Sequence, residues 1–231
     1  MTVNRVLCDI DRTWLDGIIR EMYDRVPEMS RRKIATAIVQ QAFVVDIARH
    51  AFKKGCKVLN AGSWEDTAGE LLKLDGYQVT DVDPTINSDL HNFKEVYLKP
   101  VEMYVDGIYT GQILPELFDG IISTSVLEHT INDEEFIADC CHLLADGGVA
   151  ILTMDFKNDW QPGQRVPSTS NRFYRRSDLE IRLREILRAN NCDLVSEPDY
   201  TQQDTFSWEG IPYSFATFVF KKDIINAESS M

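Results

Sequence analysis

Lys57-Val58-Leu59-Asn60-Ala61-Gly62-Ser63, followed by Val79-Thr80-Asp81-Val82-Asp83-Pro84, decides the fold of this chain. The first stretch predicts a buried strand running into a tight glycine turn. The second predicts a strand that ends in a carboxylate. Between them, from about Thr67 to Asp75, Leu71 and Leu72, with Leu74 as a further candidate, mark a buried helix face, and Gly76 stops the helix. Such a layout brings a backbone turn close to a nucleoside while an acid waits for the ribose hydroxyls.

The periodicity extends in both directions. Ile34, Ile38, Val45, Ala48 and Phe52 share one face of a helix predicted over residues 31–54, with Gly55 placed to end it. Downstream, Gly120 to Ser123 is apolar without alternation, as a strand buried on both faces should be. Asn132 and Glu135 have capping-box spacing for a helix to Leu144, which Gly147-Gly148 ends, and Val149 to Met154 is the next strand. A polar run from Lys157 to Arg176 reads as a loop. Ser177 and Glu180 repeat the capping-box spacing and open a helix to about Asn190, burying Leu179, Leu183, Ile186 and Leu187. Cys192 to Glu197 and Phe215 to Lys221 close the pattern as strands. Residues 96–117 carry Pro100, Gly107, Gly111 and Pro115 and read as a connection, and residues 223–231 lack an apolar period and are expected to fray. Strands alternating with helices predict an α/β fold, with a parallel sheet covered on both faces and a ligand beyond the strands' carboxyl ends.

Three further segments accompany the glycine turn: Ser88-Asp89-Leu90-His91-Asn92, Phe118-Asp119-Gly120-Ile121-Ile122-Ser123-Thr124-Ser125-Val126-Leu127-Glu128-His129, and Leu144-Ala145-Asp146-Gly147-Gly148-Val149-Ala150-Ile151-Leu152. In this order and spacing, residues 31 to 222 resemble the class I S-adenosylmethionine-dependent methyltransferases. The resemblance implies a Rossmann-like, doubly wound, mostly parallel seven-stranded sheet of order 3-2-1-4-5-7-6, with strand seven antiparallel. It implies a single domain: a helical N-terminal cap over residues 1–54, a core over 55–222 and a flexible tail over 223–231. The implied cofactor is S-adenosylmethionine and the implied activity is methyl transfer to a small molecule. Asn60, Gly62, Ser63, Trp64 and Glu65 would line the methionine arm, Asp83 the ribose, and Asp89 and Leu90 the adenine. Ser125 would sit at the reaction crevice, with His129 and Asp155 as candidate bases. Tyr174, Arg172, Arg175 and Arg176 lie where relatives place substrate determinants.

The residues also discriminate between ligands. A dinucleotide's pyrophosphate needs a helix N-terminus free of competing negative charge. Here Glu65 and Asp66 stand in the turn, a setting that suits an ammonium and a sulfonium. Asn60 and Trp64 depart from the family's usual acid and glycine. The indole of Trp64 either covers the methionine arm or packs under the next helix. Asp81 competes with Asp83 for the ribose, since alternation puts both on one side of the strand. His129 serves either as a general base or to order its loop. A catalytically silent S-adenosylmethionine-binding protein is an alternative encouraged by Asn60 and Trp64. A nicotinamide-dependent reductase is disfavoured by the missing three-glycine turn and by the absence of any Tyr-x-x-x-Lys pair.

Composition bounds the rest. With 231 residues, 44% of them hydrophobic, the chain can bury one sizeable core. No signal-peptide pattern or membrane-length apolar run is present, so a cytoplasmic protein is expected. The five cysteines have no CxxC spacing and the four histidines form no metal-binding pair, so no metal is expected. A net charge of −13 argues against nucleic acid as a partner. Residues 1–56 carry ten Lys and Arg against seven Asp and Glu, and residues 155–190 eight against five. These two basic segments, with Arg31, Arg32, Arg172, Arg175 and Arg176, suggest a small anionic acceptor; the alternative is that the arginines pair with nearby acids.

One prediction follows from the turn. Calorimetric titration should show binding of S-adenosylmethionine or S-adenosylhomocysteine and no measurable binding of NAD; micromolar NAD affinity would contradict it.

Overall fold

The computed structural model describes residues 2–83, 117–130, 132–168, 170–201 and 204–224. Four helices open the chain: α1 (Asp9–Trp14), α2 (Asp16–Arg25), α3 (Pro27–Arg32) and α4 (Ala37–Ala51). Then come β1 (Lys57–Ala61), α5 (Thr67–Leu74) and β2 (Gln78–Val82). After β3 (Phe118–Thr124), a 3-10 turn (Leu127–His129) leads to α6 (Asp133–Leu143) and β4 (Leu144–Phe156). A π-helical turn (Asp178–Arg182) runs into α7 (Leu183–Ala189), followed by β5 (Cys192–Leu194), β6 (Phe206–Trp208) and β7 (Ile211–Lys222).

The sheet order is β2-β1-β3-β4-β7-β5, with β6 paired to β7. β1 to β4 run parallel, and β7 lies antiparallel between β4 and β5. This is the expected Rossmann-like order without its strand three, which falls between β2 and β3 in sequence, outside the described residues. The short β6, which the sequence did not announce, completes a hairpin with the start of β7.

Alternation along the strands divides the core in two. Leu59, Ile121, Leu152 and Phe220 face α6 and α7. Val58, Ile122, Ile151 and Val219 face α2, α4 and α5. α4 is buried continuously from Ile38 to Val45, because it lies between the sheet and the helices outside it. Arg25 and Arg49 reach from α2 and α4 to Asp75 just after α5, and both also hold Glu21. Arg49 foremost holds the Glu21 carboxyl down to about 2.

Several boundaries differ from the expected ones. The helix predicted over 31–54 is two helices: Lys33 is extended (ψ 138°), so α3 stops and Ile34 stays exposed. Neither capping box forms. The Asn132 side chain makes no cap bond, and Ser177 already has helical dihedrals while Glu180 pairs with Arg176. α5 has the cap that was not foreseen: Asp66 accepts from the Gly69 N–H at 2.7 Å. Gly147-Gly148 does not end α6. It lies within β4, in the irregular stretch where the register to β3 shifts between Phe118–Leu144 and Gly120–Val149.

Gly120 of β3 packs closely under Phe52, the residue that caps the end of α4. A Cβ there would stand 2.4 Å from Cζ of Phe52, whose ring is held edge-on by Tyr77. Gly120→Ala should therefore destabilise the protein by about 1–3 kcal/mol, read as a lower urea midpoint. An unchanged midpoint would show that this contact yields freely.

Candidate functional site

The strand order reverses between β1 and β3, so the crevice beyond their carboxyl ends is the place for a ligand. The turns after these strands touch. Gly62 has φ +84°, and a Cβ on it would fall 2.2 Å from Cγ2 of Val126. A side chain at this position is excluded twice, by conformation and by space. The Gly62 and Ser63 N–H groups both donate to Val82 O, fastening the turn to the end of β2.

α4 binds both lips. Gln40 and Ser125 hydrogen-bond through the amide nitrogen (2.8 Å) and the amide oxygen (3.0 Å), and Gln41 Oε1 accepts from the Ala68 N–H at 2.7 Å. Glu65 and Ser125, on opposite lips, each adopt φ +53°, a region that non-glycine residues enter at a cost.

The acids around the glycine turn have separate duties. Asp81 is ion-paired with Lys73 and accepts from Asn60 Nδ2 at 3.0 Å, so it is engaged inside the fold. Asp83, two residues on, is buried and accepts from the Trp64 backbone N–H at 2.8 Å, which places it against the turn. Trp64 does not pack under α5; its side chain is half exposed. Glu65 pairs with Arg32 at 3.3 Å. Burial raises the Asp66 carboxyl and lowers the Lys33 amine, which faces Asp66 and Glu65. The turn is therefore not simply negative, as its sequence suggested. What opposes a diphosphate is that Asp66 already occupies the Gly69 N–H at the start of α5. Asp89 and Leu90, the adenine-site candidates, lie outside the described residues.

Across the crevice the acid–base groups differ from those expected. His129 is exposed on the 3-10 turn, and its carbonyl accepts from Asn171 Nδ2. The buried groups are Glu128 and Asp155, 1% and 5% exposed. Burial pushes the Glu128 carboxyl up to about 7. Burial first, and then the charge of Glu128, raises Asp155 well above the usual carboxylate range. Ser170 donates to Asp155 at 2.9 Å, whereas among the described residues neither Glu128 oxygen meets a donor at full hydrogen-bond geometry, although Ser125 and Asp155 lie beside it. Glu128 went unassigned in the sequence reading, although a glutamate within Val126-Leu127-Glu128 at the end of a buried strand was a signal.

The substrate candidates are held by neighbours. Tyr174 is fully buried, with its hydroxyl 2.8 Å from Asp133 Oδ2 and 3.1 Å from Leu127 O. Arg172 binds Asp133 and Thr130 O, Arg175 forks onto Asp178, and Arg176 binds Glu180. Arg172, Arg175 and Arg182 border a cleft of about 440 Å³, but each already has an acid partner. An anion there would displace an existing pair, which runs against the expectation of an arginine-bound anionic acceptor.

Buried polar atoms without partners concentrate at the crevice. Among the described residues there are eleven, and nine of them belong to Asn60, Ser63, Asp66, Thr67, Ser123, Thr124, Glu128 and Thr153. All eight residues lie in the glycine turn, the start of α5, or the distal parts of β1, β3 and β4 and the turn after β3. Folded proteins satisfy most such atoms, so their gathering makes this crevice the candidate site for a polar ligand.

Glu128 supplies a pH test. Its folded pKa of about 7 exceeds its ordinary value of 4.5, so the folded state holds the proton more tightly. Stability from this group is fully present below 4.5 and is lost as pH rises to 7, by about 3 kcal/mol. Glu128→Gln should therefore gain on the native protein between pH 5 and pH 8 in thermal melts. A constant gap across that range would contradict it.

No protein-family model and no curated protein matches the chain. Solved structures do match its fold. TehB from Haemophilus influenzae superposes with a TM-score of 0.56 at 20% identity over 78% of this chain, which spans 61% of TehB. The 1,6-didemethyltoxoflavin-N1-methyltransferase of Burkholderia thailandensis, solved with its substrate and S-adenosylhomocysteine, gives 0.57 at 15% identity over 94% of this chain and 92% of that one. The [4+2]-cyclase SpnF gives 0.57 at 13% identity, covering 84% of each chain. The fold of this chain is that of the class I S-adenosylmethionine-dependent methyltransferases.

Proposed function

We propose that the chain binds S-adenosylmethionine in the crevice between β1 and β3 and transfers its methyl group to a small molecule. The observation that carries this reading is the set of unpartnered buried polar atoms converging on the glycine turn and on the ends of β3 and β4. The residues suit the cofactor. Asn60 Oδ1 and Ser63 Oγ are buried without partners, so they can take the ammonium's hydrogen bonds. Lys33, beside the same turn, suits a compact carboxylate. Asp83 is assigned to the ribose hydroxyls, since Asp81 is engaged by Lys73 and Asn60. Asp89 and Leu90 keep the adenine role on the resemblance alone.

Bound there, the cofactor supplies a methyl group made electrophilic by its sulfonium. The chain's part is to hold the acceptor in line, exclude water and take a proton where the acceptor must lose one. The nicotinamide reading finds no support at the start of α5, where Asp66 has taken the Gly69 N–H.

Incubation with S-adenosylmethionine and fractionated metabolites should release S-adenosylhomocysteine. Tight binding without release from any fraction would instead favour a silent binder. Asp83→Ala removes charge-assisted hydrogen bonds, each worth about 1.5–3 kcal/mol, and should weaken S-adenosylhomocysteine by about tenfold or more with the fold retained. Unchanged affinity would move the ribose role to another acid.

A further inference from the structure

Glu128 and Asp155 stand apart from the paired acids of this chain. Asp11, Asp81, Asp133 and Asp178 each hold an arginine or a lysine. Among the described residues neither Glu128 nor Asp155 has such a partner, although both are more than nine-tenths buried. They belong to adjoining segments at the carboxyl edge of the sheet: Asp155 is the penultimate residue of β4, and Glu128 lies four residues beyond β3. Val126, in the same turn as Glu128, touches the glycine turn, so the pair belongs to the crevice assigned to the cofactor.

The groups around the pair are known. Ser125 approaches Glu128 from the end of β3, and Ser170 donates to Asp155. Tyr213 of β7 is raised by burial and then by the charges of Asp155 and Glu128. Tyr174 also feels Glu128, and His129 lies near Asp155. The hydroxyls of Ser125, Ser170 and Tyr213 lie close to the pair, and among the described residues neither Glu128 oxygen meets a donor at full hydrogen-bond geometry.

We propose that Glu128 and Asp155 bind the basic nitrogen of the acceptor, so that the methyl group goes to a small amine. The inference rests on the cofactor reading above and names its substrate class. An ammonium brings the positive charge that the two carboxyls lack and several N–H donors for the empty Glu128 oxygens. A phenol brings one donor and no charge, and a carboxylate brings repulsion. The nitrogen's lone pair becomes available when its proton leaves, and the adjacent carboxylate takes that proton, leaving a neutral amine beside a neutral carboxyl.

Binding separates the possibilities. The full chain, saturated with S-adenosylhomocysteine, is titrated calorimetrically with glycine, ethanolamine, putrescine and a wider set of small amines, and in parallel with phenols and carboxylic acids that lack an amine. The expected result is binding from the amine set only, tighter at pH 8 than at pH 6, where the pair carries less negative charge. Glu128→Gln should weaken that binding roughly tenfold or more and flatten its pH dependence, with each variant kept saturated by S-adenosylhomocysteine. Asp155→Asn serves as the second variant and should act in the same direction. The inference is overturned alone if S-adenosylhomocysteine binds but no amine does, if phenols or acids bind instead, or if both variants hold the amine as the native protein does. Absence of S-adenosylhomocysteine binding would remove the cofactor reading and this one together.

Discussion

The approach of the Gly62 turn to Val126 is the constraint on which the rest of the site depends. With φ at +84° and no space for a Cβ, the first residue after β1 can meet the turn after β3 only as glycine. That contact sets the width of the crevice at the point where strand order reverses. α4 then holds the two lips in place, with Gln40 on Ser125 and Gln41 on Ala68. The near-complete burial of α4 follows from this position, since it must fill the space between the sheet and the outer helices. Positive φ at Glu65 and Ser125 shows that the backbone on both lips is held away from its preferred conformations.

The energetic reading of the crevice follows from its polar atoms. A buried donor or acceptor left unmade costs about 1–3 kcal/mol, against a net folding stability of only about 5–15 kcal/mol for a domain. Several such atoms gathered at one edge of the sheet favour the proposed polar occupant. Elsewhere the same chain pairs its charges: Asp133 takes Arg172, Arg182 and the Tyr174 hydroxyl, and Asp75 takes Arg25 and Arg49. The contrast sets the groups that pair within the fold apart from those assigned to the proposed ligand site.

Much of this was legible in the sequence, for a physical reason. β1, α5 and β2 announce themselves because apolar runs, a glycine stop and a terminal acid are local signals. Asp83 was the ribose candidate on its distance from Gly62, with Asp81 competing, and that role stays a proposal. What could not be read depends on contacts between segments far apart. The Glu128–Asp155 pair exists because β3 and β4 are neighbours, and nothing within either segment reveals it. The arginines after β4 looked like a recognition cluster because their partners Asp133, Asp178 and Glu180 come from another helix or the next turn. The charge of the glycine turn was misjudged likewise, since Arg32 and Lys33 reach it from the end of α3. The two capping boxes had the right spacing but the wrong backbone: Ser177 is already helical, and Asn132 makes no bond.

The most direct measurement is an amide NMR titration with S-adenosylhomocysteine, following backbone signals across the described residues. The account predicts that Gly62, Ser63, Trp64, Asp83, Ser125 and Val126 shift together and saturate together, while Arg182 and Arg184 at the junction of the π-helical turn and α7 stay unmoved. Saturable shifts confined to the Arg172–Arg182 cleft, or no shift at the Gly62 and Val126 turns, would contradict it.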